Sequence, residues 1–200
     1  MGPRMFNKNS KMKYLVSGIG LGVALGVGGA VLAWSPVVHA QGEQGKAEPA
    51  PVRSSKVVAG VGEEVVTLAK PDGWVVGQAP KGSLALMRAA GDKSSQLEVR
   101  YTQGIAPDQK KQHFSSFHTS LKQMGLEKIA DSKIKKAGVF EAVVQTEYKL
   151  LSGGKTFRLV VMHVHRGDAA WFFTGFFPED ARDEHYKSLV SLIETASFSK

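Results

Sequence analysis

From residue 57 onward, segments in which apolar and polar residues alternate with a period of two are interspersed with segments of period near 3.6. The first pattern predicts β-strands and the second predicts amphipathic helices. The period-two segments are 63–69, 84–90, 96–103, 127–136, 139–150, 156–165 and 169–177. Turn residues separate them, as at 91–94. The pattern predicts one α+β domain over residues 57–200.

Two segments have the helical period. Pro107 and Asp108 begin the first, in keeping with the preference of proline and acids for the first helical turn, and Gly125 ends it. Its apolar stripe consists of Phe114, Phe117, Leu121 and Met124. The second begins at Pro178 and has a stripe of Tyr186, Leu189, Val190 and Ile193. An antiparallel sheet with a helix from the middle of the chain and one from its end predicts an αβα sandwich, with a helix on each face.

The strands differ in how many of their faces are apolar. Segments 156–165 and 169–177 are apolar on both, which predicts the centre of a sheet that is covered on both sides. In 96–103, a polar face of Glu98, Arg100 and Thr102 is expected to meet water. In 139–150 the inward residues are expected to be Phe140, Ala142, Val144, Thr146, Tyr148 and Leu150, and the outward residues Glu141, Gln145, Glu147 and Lys149.

The first forty residues have the order of a secretory signal. A basic start is followed by an uncharged segment, 14–34, and then by small residues at Val38 and Ala40, which predicts cleavage before Gln41. Residues 41–56 are poor in large apolar side chains and predict a disordered linker. The alternative is an inner-membrane anchor at 14–34, and either Met5 or Met12 could equally be the true start. We favour cleavage, and therefore a periplasmic or secreted protein.

Charge and cysteine content exclude several classes of function. The formal net charge is +8, but four of the 26 basic residues precede Glu43, the first acid. The remaining excess of positive charge is too small to predict nucleic-acid binding. The absence of cysteine excludes disulfides, thiolate zinc sites and a cysteine nucleophile.

Histidine gives the sharpest candidate for chemistry. Alternate residues of a strand point the same way, so His163 and His165 could share a metal ion. A structural zinc site needs about four ligands and a catalytic one about three, and no third ligand is evident nearby. We therefore expect no metal, and a hydrogen-bonded or partly exposed pair. His113 and His118 are five residues apart on a helix, too far around it to chelate one ion, and are expected at the surface.

Other groupings favour structural roles. The acids Asp180, Asp183 and Glu184 near His185 suit the first turn of a helix, where acids complement the helix dipole. The aromatic run from Trp171 to Phe177 suits a core. Sequence motifs of hydrolases, metalloproteases, nucleotide-binding loops and dinucleotide-binding folds are absent from the chain. We therefore predict neither an enzyme nor a cofactor.

The weakest strand carries the densest basic stretch beyond the signal segment: Lys128, Lys133, Lys135 and Lys136. Two roles are open for these lysines. They could contact an acidic partner, or they could prevent an exposed strand from pairing with another chain, as edge lysines commonly do. We favour the second role.

The order of elements resembles the Mog1/PsbP/DcrB-like group over 57–198. The resemblance rests on Pro71-Asp72-Gly73-Trp74 after the first strand, on Gly154-Lys155-Thr156-Phe157 in the meander and on Ala196-Ser197-Phe198 at the end. It implies an αβα sandwich without a shared enzymatic activity, and an accessory or interaction role. A signal segment fits only the bacterial envelope branch of that group. No site residues follow from the resemblance, which lies in core and turn positions.

These observations together predict an exported, non-catalytic interaction protein with a protein partner in the cell envelope and no nucleic-acid partner. Contact with the membrane is expected only through an uncleaved signal segment. The alternatives are a carrier of a small apolar ligand held between sheet and helix, and a hydrolase of unrecognised type.

Overall fold

The computed structural model describes residues 21–23, 32–34, 56–61 and 64–199. Near the N-terminus, strand β1 (Leu21–Val23) pairs antiparallel with β2 (Leu32–Trp34). The expected processing residues Val38, Ala40 and Gln41 lie outside the described residues. Among the residues that the structure describes, no helix is both long enough and apolar enough to cross a lipid bilayer.

Ten strands and two helices form the rest of the described chain. The elements are β3 (Lys56–Val61), β4 (Glu64–Ala69), β5 (Trp74–Gly77), β6 (Ser83–Ala89), β7 (Gln96–Thr102), α1 (Lys110–Gln123), β8 (Glu127–Ala137), β9 (Phe140–Ser152), β10 (Lys155–Arg166), β11 (Ala169–Pro178), α2 (Arg182–Glu194) and β12 (Ser197–Ser199). A short 3-10 helix precedes each α-helix, at Pro107–Gln109 and at Glu179–Ala181. β3 begins at Lys56, the last residue of the expected linker.

Seven strands form one antiparallel sheet in the order β5-β6-β7-β11-β10-β9-β8. Helix α1 covers one face, where Phe117 and Leu121 pack with Val161 and Phe172 of the sheet. Helix α2 covers the opposite face, and Leu189 belongs to the larger core there. The predicted α+β class, with a helix on each face of the sheet, is confirmed.

A second sheet has three strands in the order β12-β4-β3 and lies on the α2 side, where its Val66 and Leu68 are part of the larger core. Arg166, at the end of β10, joins the two sheets. Its guanidinium donates to Glu64 over 2.6 Å and lies 4.2 Å from the ring centroid of Phe198.

β10 and β11 form the centre of the large sheet, as their apolar faces predict. Residues 169–177 of β11 are all buried. Trp171, Phe173 and Phe177 pack on the α2 side, whereas Phe172 and Phe176 pack on the α1 side. β11 therefore separates the two cores, one on each face of the sheet.

Two predicted strand faces were wrong. Glu98 and Arg100 of β7 do not meet water: they are 4% and 6% exposed, and the Nε of Arg100 donates to the Glu98 carboxylate over 2.7 Å. The two opposite charges can be buried because they pair with each other, whereas burial of an unpaired charge is strongly unfavourable.

The alternation in β9 breaks at Ala142, whose positive φ of 53° is unusual for a residue with a side chain. As a result Phe140 and Val143, rather than Phe140 and Val144, pack in the core on the α2 side. Ala142 is exposed although it was expected to point inward. Gln145 is 8% exposed although it was expected to point outward, and it accepts a hydrogen bond from the hydroxyl of Tyr186 over 2.7 Å.

Candidate functional site

Helix α1 is fixed to the sheet by a small aromatic core. Phe117 and Leu121 are buried against the sheet, and Phe114 is half-buried at its rim. No side chain caps the first turn of α1, but the Nζ of Lys110 donates to the carbonyl of Gly167 over 3.0 Å and ties that turn to the β10–β11 turn. Gly125, with a φ of 82°, lets the chain leave the helix toward β8.

His163 of β10 lies under this helix and is only 3% exposed. Its ring stacks on that of Phe114 at a centroid distance of 4.2 Å and an interplanar angle of 6°. The ring of Phe172 lies 4.8 Å away. The Nε2 atom is buried and makes no hydrogen bond within the protein. The expectation of a hydrogen-bonded or partly exposed imidazole is therefore wrong for His163.

His165 is half-buried, as expected of a partly exposed residue. Its ring meets that of His163 edge-on, at 4.6 Å between centroids.

His113 and His118 are not simply surface residues. Both are half-buried. His113 lies 5.6 Å from the ring of Phe172, and His118 lies 3.9 Å from that of Phe114. Along α1, His113 precedes Phe114 and His118 follows it. We call His113, His118, His163 and His165 the histidine cluster; the sequence did not predict it because two members lie on a helix and two on a distant strand.

Burial disfavours the charged form of an imidazole, and it lowers the pKa of all four members of the cluster. The effect is largest for His163, where burial and then the neighbouring histidines lower the pKa to about 3. Burial and Lys128 lower the pKa of His118, and Asp131 opposes this change. At neutral pH the cluster is therefore uncharged.

The cluster does not have the form of a metal centre. Among the described residues, no three side chains of His, Asp or Glu converge so that they could hold a metal ion. His163 and His165 remain a pair without a third ligand. Their freedom from metal stays a prediction.

The other expected groupings serve packing. Asp183 is ion-paired with Arg182 at 2.8 Å, and His185 packs between Trp74 and Phe177, at 5.1 Å and 5.7 Å between ring centroids. The indole of Trp74 donates to the Oγ of Ser188 over 3.0 Å. The contacts of His185 and Ser188 fix α2 to the sheet.

The four lysines of the basic stretch all lie on β8, at one edge of the large sheet, and all are exposed. β8 pairs with β9 on one side only, and in the described part of the chain no strand pairs with its other side. Lys128 forms an ion pair with Asp131. Two apolar side chains, Ile129 and Val139, are also exposed in this region. We call Lys128, Lys133, Lys135 and Lys136 the lysine edge.

Neither a family model nor a curated protein matches the sequence. Among solved structures, a protein from Bacteroides thetaiotaomicron has a TM-score of 0.50 and 15% identity, with coverage of 68% of this chain and 45% of that protein. The chain thus spans less than half the length of the Bacteroides protein.

Two further structures are cyanobacterial PsbP from Synechocystis and LpqN from Mycobacterium tuberculosis, the latter described as involved in cell envelope biogenesis. PsbP has a TM-score of 0.48 and 14% identity, with coverage of 67% of this chain and 86% of PsbP. LpqN has a TM-score of 0.48 and 11% identity, with coverage of 72% of this chain and 91% of LpqN. At such identities the likeness concerns the fold alone, and the observed sheet with a helix on each face is the fold that the resemblance to the Mog1/PsbP/DcrB-like group implied.

Proposed function

We propose that the protein is exported and acts in the cell envelope as a non-catalytic accessory protein that binds another protein. The observation that carries this proposal is that the histidines and the buried acid of the protein take part in packing and charge pairing. The histidines, which are the usual general bases of enzymes, pack against phenyl rings and each other. The buried acid Glu98 is paired with Arg100. These groups contribute to packing and charge pairing.

The proposal of an accessory protein is also supported by the N-terminal sequence, which has the order of a secretory signal. This order supports a location of the domain outside the cytoplasm.

A carrier of an apolar ligand is the alternative from another class of function. It requires space between the sheet and a helix. At the interface with α1, the rings of Phe114, Phe117 and Phe172 instead contact one another or His163, with centroid distances between 4.2 and 4.8 Å. This packing favours the accessory role.

The lysine edge serves first to keep β8 from pairing with strands of other chains. Its second proposed role is contact with an acidic surface of the partner protein. A row of exposed lysines on an extended strand presents positive charge and leaves the other backbone edge accessible.

Site-specific photo-crosslinking in the producing cell tests the proposed function. A photoreactive residue is introduced at Lys135 on β8, and a matched probe replaces Lys187, an exposed lysine on α2. We expect a discrete crosslinked protein in the envelope fraction from the β8 probe and none from the α2 probe. Absence of any protein adduct from probes on β8, on α2 and at Lys93 in the β6–β7 turn would contradict the proposal.

A further inference from the structure

The interface between α1 and the sheet combines a small apolar core with most of the protein's histidines. Four of the six histidines lie in or beside it. His163 is nine-tenths or more buried, and the phenyl ring that it stacks on, Phe114, belongs to α1 itself. A change of charge on His163 therefore directly affects the packing of α1 on the sheet.

The charged groups around the cluster offer little compensation for a protonated imidazole. Lys110 of α1 lies near His165 and Lys128 of β8 lies near His118, so both oppose protonation. Among the described residues, the one carboxylate that acts on the cluster is Asp131 of β8, which is already paired with Lys128.

The side chains that β11 and β9 place around the cluster are uncharged and therefore add no compensating charge. β11 contributes Phe172, and β9 contributes Tyr148, whose hydroxyl is buried and has no hydrogen-bond partner in the protein. An imidazolium formed here is thus buried without a counter-ion, which is strongly unfavourable.

The opposite face of the sheet is built differently. The larger core lies there, and α2 is further held by the ion pair of Arg182 with Glu147 and by the hydrogen bond from Tyr186 to Gln145. His185, on that face, packs against Trp74 and Phe177. Protonation of the histidine cluster therefore acts on one face of the sheet.

We infer that the histidine cluster makes the attachment of α1 acid-labile: at mildly acidic pH the helix separates from the large sheet more often than at neutral pH, while the sheet and its α2 face remain folded. The separation exposes the apolar residues that α1 covers, among them Val161 and Phe172. The histidine cluster thus makes the release of α1, one layer of the sandwich, dependent on pH.

The direction of the pH dependence follows from linkage. The pKa of His163 is about 3 when α1 is packed and returns toward its ordinary value of 6.5 when the helix separates and water reaches the ring. The attachment is fully present above pH 6.5 and weakens as pH falls from 6.5 toward 3. Between pH 8 and pH 5, His163 alone shifts the equilibrium toward the released state about 30-fold. The lowered pKa values of His113, His118 and His165 act in the same direction.

Hydrogen exchange of the full-length protein, read by mass spectrometry at pH 7.5 and pH 5.0 and corrected for intrinsic exchange, tests this inference. We expect protection of α1 amides to fall about 30-fold or more, whereas protection of β10 and β11 amides is kept. Equal protection of α1 at the two pH values would overturn the inference. A parallel loss in α1, β10 and β11 would also overturn it, because that result is global unfolding.

Three variants separate the cluster from a general effect of acid. His163→Phe keeps a ring that can stack on Phe114 but cannot be protonated, and it is expected to remove most of the response of α1. His113→Gln makes a milder change at the rim and is expected to reduce the response, so it decides the matter if the first variant does not fold. His185→Phe, on the opposite face, is the control and should leave the response of α1 intact. A full response in both cluster variants would refute the role of the cluster.

Discussion

Gly175 lies in the middle of β11, at a position where a side chain has no room. A Cβ atom placed there would be 2.1 Å from the ring of Phe177, which is itself fully buried. The ring occupies the space that the glycine leaves on the α2 side of β11. A glycine in a strand interior commonly marks such a close approach.

We therefore predict that Gly175→Ala destabilises the protein by about 1 to 3 kcal/mol, the usual cost of overpacking a core. Gly91→Ala is the matched control, since a Cβ at Gly91, in the β6–β7 turn, meets no atom within 4 Å. Urea unfolding of both variants measures the difference. Equal midpoints for the two would show that Phe177 moves aside without cost.

At the residue scale, the sequence predicted side-chain direction where burial alone decides it. The alternating apolar faces of β10 and β11 were predicted correctly because these strands are covered on both sides. Direction was mispredicted where a partner or a local distortion decides it. Glu98 is buried because Arg100 pairs with it, and the alternation of β9 changes at the positive φ of Ala142. Neither cause is visible in hydrophobic periodicity.

The histidine cluster was missed for a related reason. Each histidine was judged against its neighbours in sequence, whereas its burial comes from elements far along the chain. The signal that could have found it is the position of His113 and His118 on either side of Phe114, a residue of the predicted apolar stripe of α1. A side chain four residues after an anchoring residue of a helix, as His118 is after Phe114, lies on the same face and close to the surface on which that residue packs.

At the scale of elements, β8 is the clearest test. Lys133 and Lys135 are exposed on a strand with one unpaired edge in the described structure. We predict that Lys133→Val and Lys135→Val together produce dimers or aggregates, because the edge loses the charges that oppose pairing. Glutamates at the same two positions reverse the sign of the charge but leave the edge charged, so they should still oppose pairing and give a folded monomer whose binding to an acidic partner is modestly weaker. Sedimentation velocity measures the oligomeric state.

Lys187→Val on α2 is the control for added surface hydrophobicity and should remain monomeric. If the double valine variant stays monomeric and loses salt-sensitive partner binding, the lysine edge is a contact site and not a guard against pairing.

Long strands and both helices could be predicted, and short strands with distant partners could not. β5 and β12 have only four and three residues, too few for a clear period, and β3 begins inside the segment that was expected to be a linker. The three-stranded sheet was not predicted at all. It depends on the pairing of Phe198 with Val66, which no local pattern records.

At the scale of the whole molecule, the first prediction concerns export. We expect the mature chain to begin at Gln41, and intact-mass analysis of the envelope or culture fraction measures this. Ala40→Arg should block cleavage, because signal peptidase requires a small residue at that position. A wild-type product that retains Met1, Met5 or Met12 in the membrane fraction would support the anchor alternative instead.

The second prediction at this scale concerns metal. We expect the purified protein to contain no stoichiometric zinc, copper or nickel, because His163 and His165 lack a third ligand among the described residues. Elemental analysis tests this directly. In the double variant His163→Gln and His165→Gln, added metal should leave the melting temperature unchanged. One equivalent of metal in the wild type that disappears in the double variant would contradict the prediction.

The position of β11 between β7 and β10 has a consequence for the order of folding. β8 to β11 join through short turns, so these four strands can pair soon after they are made. The edge of β7 that does not pair with β6 must instead wait for a partner that follows about 80 residues later, as in the pairing of Leu97 with Gly175, and such distant contacts slow folding. If the chain crosses a membrane N-terminus first, β5 to β7 emerge before β11 pairs with that edge and before α2 covers their apolar face. Until then, these three strands are the part of the nascent chain most in need of protection by a chaperone.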